Sequence, residues 1–529
     1  MGRPRPAHPS YSPAGHRTSD SYDPAGLRAP DSYDPAGLRA PDSYDPAARR
    51  RAEGRAPVTV INKPKSPTGI AARIRSAAVD TRPLAIPAYR RVLIGQGASL
   101  IGTMLTEVAV PVQIYSMTHS SMYVGLAGLA GFVPIVVFGL YGGAIADAVD
   151  RRLLSLCSSL VTWAVTFLLL VQTLLGIGSE VLLLVLVAVQ GAAFATSSSA
   201  RGAIIPRIVP RELVPAANTL QFTVSNFGQI LGPLIAGILV ALPHGFAYAY
   251  GADVLLFTAS LYATFRLPSI KPAGKAVKAG ARAVFEGLRF IGGNPVLLMS
   301  FAVDIAAMVL AMPKALFPQA AATQFHGGIG LLYSAVAIGS LLAGLCSGWI
   351  SRVRRQGVAL ALAVVGWAVF ISLAGFTRAL WLTVALLMLA GAADLVSSVY
   401  RQTILQTYAP DEMRGRMQGV FTVVVAGGPR LGDLRAGAMA AAMTFSIAWS
   451  GSAMLCIVLV LVGSLAVRPF WRYDAHAAHE GQATDQAQTQ AQAQAQAADG
   501  TLGPDGAHAA PAAAHAAPAA QSPAPRGEP

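Results

Sequence analysis

Between residues 92 and 467, long apolar runs take turns with short polar interruptions. The runs are continuous, as in "LLLVLVAV" and "CIVLVLVGSLAV", and do not switch residue by residue. Strands of a membrane β-barrel would show segments of about ten residues with alternating hydropathy. Helices are therefore predicted, each long enough to cross roughly 30 Å of hydrocarbon. The spans expected are 92–117, 122–146, 153–176, 180–203, 214–241, 246–266, 295–319, 329–351, 357–376, 380–404, 416–441 and 443–467. The fold class this predicts is an all-α integral membrane protein with twelve transmembrane helices in two pseudo-symmetric six-helix halves.

The polar interruptions differ in charge. With the N-terminus inside, the inner loops collect Arg151, Arg152, Arg201, Arg207, Arg211, Arg266, Lys271, Lys275, Lys278, Arg282, Arg289, Arg352, Arg354, Arg355, Arg401, Arg414 and Arg416. The outer loops carry only Lys314 and Arg378. Basic residues concentrate in cytoplasmic loops, so both termini are expected in the cytoplasm of a cell (plasma) membrane protein. The longest and most basic gap separates the sixth and seventh spans. It contains "RAVFEGLRFI", expected to lie as an amphipathic helix on the membrane surface.

Composition agrees with this pattern. Hydrophobic residues make up 53% of the 529 and charged residues 12%, against about 25% charged in soluble domains. The net charge of +14 would fit nucleic acid, but its confinement to one set of loops explains it without that partner. The partner implied is the lipid bilayer. Cys157, Cys346 and Cys456 all fall in apolar runs, where cysteine behaves as a small hydrophobe. No metal or cofactor is expected.

The expected organisation has five parts. A disordered cytoplasmic tail covers 1–88, with an 11-residue unit "DSYDPAGLRAP" at 20–30 and 31–41. Its prolines and glycines break helices. A six-helix half covers 89–267, a cytoplasmic central loop 268–294 and a second six-helix half 295–468. A second disordered tail, rich in Ala, Gln, His and Pro, covers 469–529.

The two halves are copies. Residues 191–237 laid over 391–437 agree at 16 of 47 positions, Gly228, Gly232 and Gly237 among them. Two parallel repeats are a transporter architecture, with a small-molecule site between them near the middle of the membrane. The comparison also exposes an oddity. "GQILGPLIAG" (228–237) lies over "GPRLGDLRAG" (428–437), so Arg430, Asp433 and Arg435 replace Ile230, Pro233 and Ile235. A charge at that depth costs several kcal/mol unless it is paired or faces water. Arg430 and Asp433 are three apart and share a helix face, so they are expected to pair. With Glu107, Asp253, Asp304 and Asp394 they form the set of candidates for proton coupling or contact with substrate. Burial favours the neutral acid, which suits proton exchange with water near neutral pH. Gln96 and Gln113 are further candidates for a cavity wall.

"GGAIADAVDRR" (142–152) resembles the motif between spans two and three of the major facilitator superfamily. Gly143, Asp147, Arg151 and Arg152 fit it, Ala148 stands where an arginine is usual, and Asp150 where many members have glycine. The "DxxDRR" form, "IPRIVPRELVPAANTL" and "APDEMRGRM" resemble its drug and siderophore exporter branch. The resemblance covers residues 90–467. It implies a cytoplasmic gate at Gly143, Asp147, Asp150, Arg151 and Arg152, and a helix bend at Gly228, Gly232, Pro233 and Gly237. The span-four arginine of many proton-coupled members has no counterpart before "QGAA" at 190–193.

The function expected is secondary active transport: proton-coupled export of a siderophore or drug-like compound by alternating access, by a monomer. No "GxxxxGK[ST]" occurs, so direct nucleotide drive has no support. The alternative is a non-transporting receptor or an intramembrane enzyme. It is disfavoured because His119, His244 and His326 fall in outer loops and no nucleophile stands with a base.

Overall fold

The computed structural model describes residues 80–148, 150–201, 208–266, 281–408 and 411–474. The repeats at 20–41, residues 268–280 of the central loop and the stretch from 475 onwards lie outside the described residues. Those described are helical, with no strand among them.

Six helices come first: α1 Pro87–Thr118, α2 Ser121–Ala148, α3 Arg151–Leu174, α4 Glu180–Arg201, α5 Val214–Val240 and α6 Gly245–Phe265. The predicted amphipathic helix follows as α7, Ala281–Gly293, with Phe285 and Leu288 exposed. Then come α8 Pro295–Leu310, α9 Phe317–Thr323, α10 Ile329–Leu345, α11 Gln356–Phe376, α12 Leu380–Tyr408, α13 Asp411–Ala442, α14 Ser452–Ala466 and α15 Arg468–Trp471. Every predicted span coincides with a helix or with two consecutive ones. Nine helical segments among the described residues are long and apolar enough to cross a membrane, and α10 is a shorter apolar helix.

Three spans differ from expectation, each for a local reason. The seventh, expected as one helix over 295–319, breaks into α8, a 3-10 turn at Lys314–Leu316, and α9. Pro313 has no N–H to continue the ladder and disfavours helical geometry at Met312, while Pro318 suits the start of a new helix. The eighth ends at Leu345 and continues only as a 3-10 helix, Ser347–Arg352. The twelfth starts with a π-turn at Ile447–Gly451. Residues 469–474, expected in the disordered tail, instead pack on the bundle: Phe470 and Tyr473 are buried, with the Tyr473 ring 5.5 Å from that of Tyr408.

Packing links helices far apart in sequence. α1 lies against α5 and α6, α3 against α4 and α6, α11 against α12 and α14, and α8 against α13 and α14. The two most extensive contacts between the first six helices and the later ones are α2 with α13 and α5 with α10. Both depend on glycine. A Cβ on Gly237 would come within 2.6 Å of Gly330 N, and one on Gly437 would collide with the Ser121 carbonyl. Such small residues allow two backbones to touch. Both contacts lie toward one end of the bundle, where the α1–α2 turn holds His119. Ser121 Oγ adds a 2.7 Å hydrogen bond to Gln319 Oε1 at the same end.

Candidate functional site

A cavity of about 380 Å³ lies on the far side of those glycine contacts from His119. α1 supplies Met104, Glu107 and Val108 to its wall, and α5 supplies Asn226, Gln229 and Pro233. Opposite stand Asp304 and Met308 of α8, Met312 to Lys314 and Phe317 at the break, Tyr333 and Ser340 of α10, Trp367 of α11, Asp394 of α12 and Pro429 of α13. The site is apolar and aromatic over most of its surface, with a few charges set into it. Ligand pockets for small organic molecules have this make-up.

The charges meet at Lys314. Its Nζ is 3.9 Å from Glu107 Oε1, an ion pair between α1 and the break after α8. Tyr333 Oη donates to the Lys314 carbonyl over 3.4 Å. Asp394 is in the electrostatic field of Lys314, and Asp433 in that of Arg430, Lys314 and Glu107. Lysine 314, expected in an outer loop, therefore faces the cavity. The proline-broken span is what turns it inward, and the pair of prolines 313 and 318 was the available signal.

The other candidates separate. Asp304 is 1% exposed and ion-paired with Arg401, itself 5% exposed. Arginine 401, expected in an inner loop, belongs to the buried part of α12. Asp253 is away from the cavity, between α1, α3 and α6, where Thr106 Oγ1 donates to its Oδ2 at 2.6 Å and Thr166 Oγ1 at 3.3 Å. Gly102 leaves room for this carboxylate, since a Cβ there would overlap it. Gln113 is buried in the same half, accepting a 2.7 Å bond from Tyr250 Oη, and neither it nor Gln96 lines the cavity.

Within α13 the expected Arg430–Asp433 ion pair is not formed among the described residues. Asp433 instead presses its backbone and Cβ against Gly125 and Gly128 of α2. Arg435 does not line the cavity. Its guanidinium donates to backbone carbonyls of Val309, Met312 and Ala448.

The side chains of Gly143, Asp147 and Arg151 in the expected gate lie outside the described residues. Of the rest, Asp150 caps α3, accepting a 2.8 Å bond from the Arg152 backbone N–H. The Arg152 guanidinium reaches the Phe265 carbonyl at 2.6 Å and sits 5.6 Å from that ring's centre. The bend motif runs through an unbroken α5, with Pro233 in the cavity wall and Gly228 and Gly232 against Leu100 and Met104 of α1. Among the described residues no group of His, Cys, Asp and Glu could hold a metal ion.

Residues 78–495 match the family model described as transmembrane secretion effector. The chain belongs to this family of the major facilitator superfamily. Among similar proteins, this transporter is 31% identical over 394 residues to an enterobactin exporter, EntS, of Shigella flexneri, covering 73% of the chain and 93% of that protein. EntS of Escherichia coli O1:K1 / APEC gives the same identity over 398 residues. Solved structures share the transporter's fold at low identity. The nucleoside transporter NupG superposes with a TM-score of 0.59 at 12% identity, covering 73% of this chain and 99% of that one. A bacterial homologue of the iron transporter ferroportin, in an inward-facing state, gives 0.56 at 13%, covering 73% and 99%. The protein is thus a multi-pass membrane transporter and not an enzyme.

Proposed function

We propose that this transporter exports a small organic molecule, of the siderophore or drug-like kind, by exchange with protons. The observation that carries the reading is the cavity between α1–α5 and α8–α13, bridged by the Glu107–Lys314 ion pair. A charge pair joining two helix sets that rock against each other stabilises one arrangement and is lost in the other. The EntS relatives supply the direction and the substrate kind. Burying a substrate among Phe317, Tyr333, Trp367 and the methionines would exclude water from it, and polar groups such as Gln229 and Ser340 would orient it.

The two six-helix halves over 89–267 and 295–468 would act as the rocking bodies of a monomer in the plasma membrane. With both termini cytoplasmic, the glycine contacts seal the outer side and the cavity faces the cytoplasm, the state that loads cargo for export. Glu107 and Asp394, which line the cavity, would exchange protons from it, while Asp304 is engaged by Arg401. Asp147 and its neighbours would close the cytoplasmic side in the opposite state, so Asp147→Asn should slow turnover more than it weakens binding.

The test uses everted vesicles with an acidified lumen and a panel of catecholate siderophores and cationic drugs. Accumulation of at least one compound is expected, abolished by a protonophore and by Glu107→Gln. Binding of a panel compound without gradient-driven accumulation of any would overturn the reading.

A further inference from the structure

Arg435 stands at a junction of three helices. Its Nε donates to the Val309 carbonyl at 2.9 Å and its Nη2 to the Met312 carbonyl at 3.2 Å. Its Nη1 donates to the Ala448 carbonyl at 3.0 Å and to Ser452 Oγ. Two of these acceptors are carbonyls that a broken helix leaves over. In a continuous helix the Val309 carbonyl would accept from the N–H of residue 313, but that residue is proline and has none. Met312 lies beyond the last residue of α8. The third carbonyl, Ala448, belongs to the π-turn that opens the last span. An unbonded carbonyl away from water is costly in a bilayer. The planar guanidinium, with five donors in a fixed fork, can serve several at once, which an ammonium on a flexible stem cannot.

Gly432, one turn earlier on α13, lets this happen. A Cβ there would collide with the Met308 carbonyl. α13 therefore runs against the end of α8, and Arg435 reaches across it. From Val309, the last firmly helical carbonyl it holds, the chain needs only five residues to reach Lys314 in the cavity wall.

We propose that Arg435 is a positioning residue: it holds the break after α8 open in the conformation that presents Lys314 to the cavity. It touches neither substrate nor cavity, and acts through the 311–316 segment. The isoleucine at the equivalent place in the other copy, Ile235, is consistent with this, because α5 faces no broken helix end. The functional part of the inference rests on the reading of the cavity given above. The positioning part does not.

Two measurements separate them. In a protein without native cysteines, the thiol of Lys314→Cys is titrated with a small water-soluble methanethiosulfonate. Adding Arg435→Met is expected to cut the labelling rate by about tenfold, the equilibrium equivalent of losing one hydrogen bond to a charged group. Arg430→Met, a control on the same helix, should leave the rate unchanged. Should Arg435→Met not fold, Arg435→Lys decides: an intermediate rate supports the proposal and an unaltered rate overturns it. An unaltered rate in folded Arg435→Met overturns it equally. The second measurement is binding of a panel siderophore or cationic drug that the vesicles accumulate, by Lys314→Met, Arg435→Met and the pair. If Arg435 acts through Lys314, the double variant binds no more weakly than Lys314→Met, whereas additive losses would refute that route. Normal binding by Lys314→Met would sink the cavity reading and leave the labelling result standing.

Discussion

α5 and α13 are copies of one helix, and they solve different problems. They keep the same glycines: Gly237 meets Gly330 and Gly437 meets Ser121, so each copy brings one helix of its own half against the other half. Where they differ, α5 has Ile230, Pro233 and Ile235, and α13 has Arg430, Asp433 and Arg435. α5 packs on α1 and α10, each a single uninterrupted helix over Pro87–Thr118 and Ile329–Leu345. α13 runs past a broken helix and a π-turn and must supply the missing donors. The glycine frame is the inherited part of the repeat, and the charges are the answer of one copy to its surroundings.

The largest effect is expected where the C-terminal copy commits its charges most deeply. Asp304→Asn should cost about 3–5 kcal/mol, the range for stranding one partner of a buried ion pair. Arg401→Met added to it should restore much of the loss, read as the melting temperature in detergent. A double variant no more stable than Asp304→Asn would show that the pair is not an isolated unit.

A smaller effect tests the frame itself. Gly237→Val and Gly437→Val should each destabilise by about 1–3 kcal/mol through overpacking, and by similar amounts. A large inequality would break the equivalence of the two copies at their shared glycines.

The charges of α13 are predicted to act one by one. Arg430→Met and Asp433→Asn should couple by no more than about 0.5–1 kcal/mol in a double-mutant cycle, through the field of Arg430 at Asp433 without an ion pair between them. Strong coupling would mean that they pair after all. The smallest change in stability is expected at the cavity. Glu107→Gln removes a half-exposed ion pair worth below about 1 kcal/mol, yet it should abolish gradient-driven accumulation. Glutamate 107 with normal transport when neutralised would take the coupling role away from it.

Much of this was legible in the chain. The helices at the expected spans, the repeat of 191–237 in 391–437 and membership of the superfamily all follow from apolar runs, small-residue spacing and the "GGAIADAVDRR" stretch. Such features are local, because each helix satisfies its own backbone and must hide it from lipid. The site was legible in part. Glu107, Asp304 and Asp394 do line the cavity. Lys314 and Arg401 read as loop residues in the sequence, because both lie near span ends and the apolar run continues across the proline break.

What the tertiary structure alone decided was the partner of each charge. Arg435 and Val309 are 126 residues apart in the chain, and Asp304 meets Arg401 across two different helices. An isolated arginine in an apolar run reads the same whether it faces substrate, an acid or the bare carbonyls at a helix end. Only the packed bundle distinguishes them, since the energy of a charge in hydrocarbon is set by whatever other segment brings to meet it.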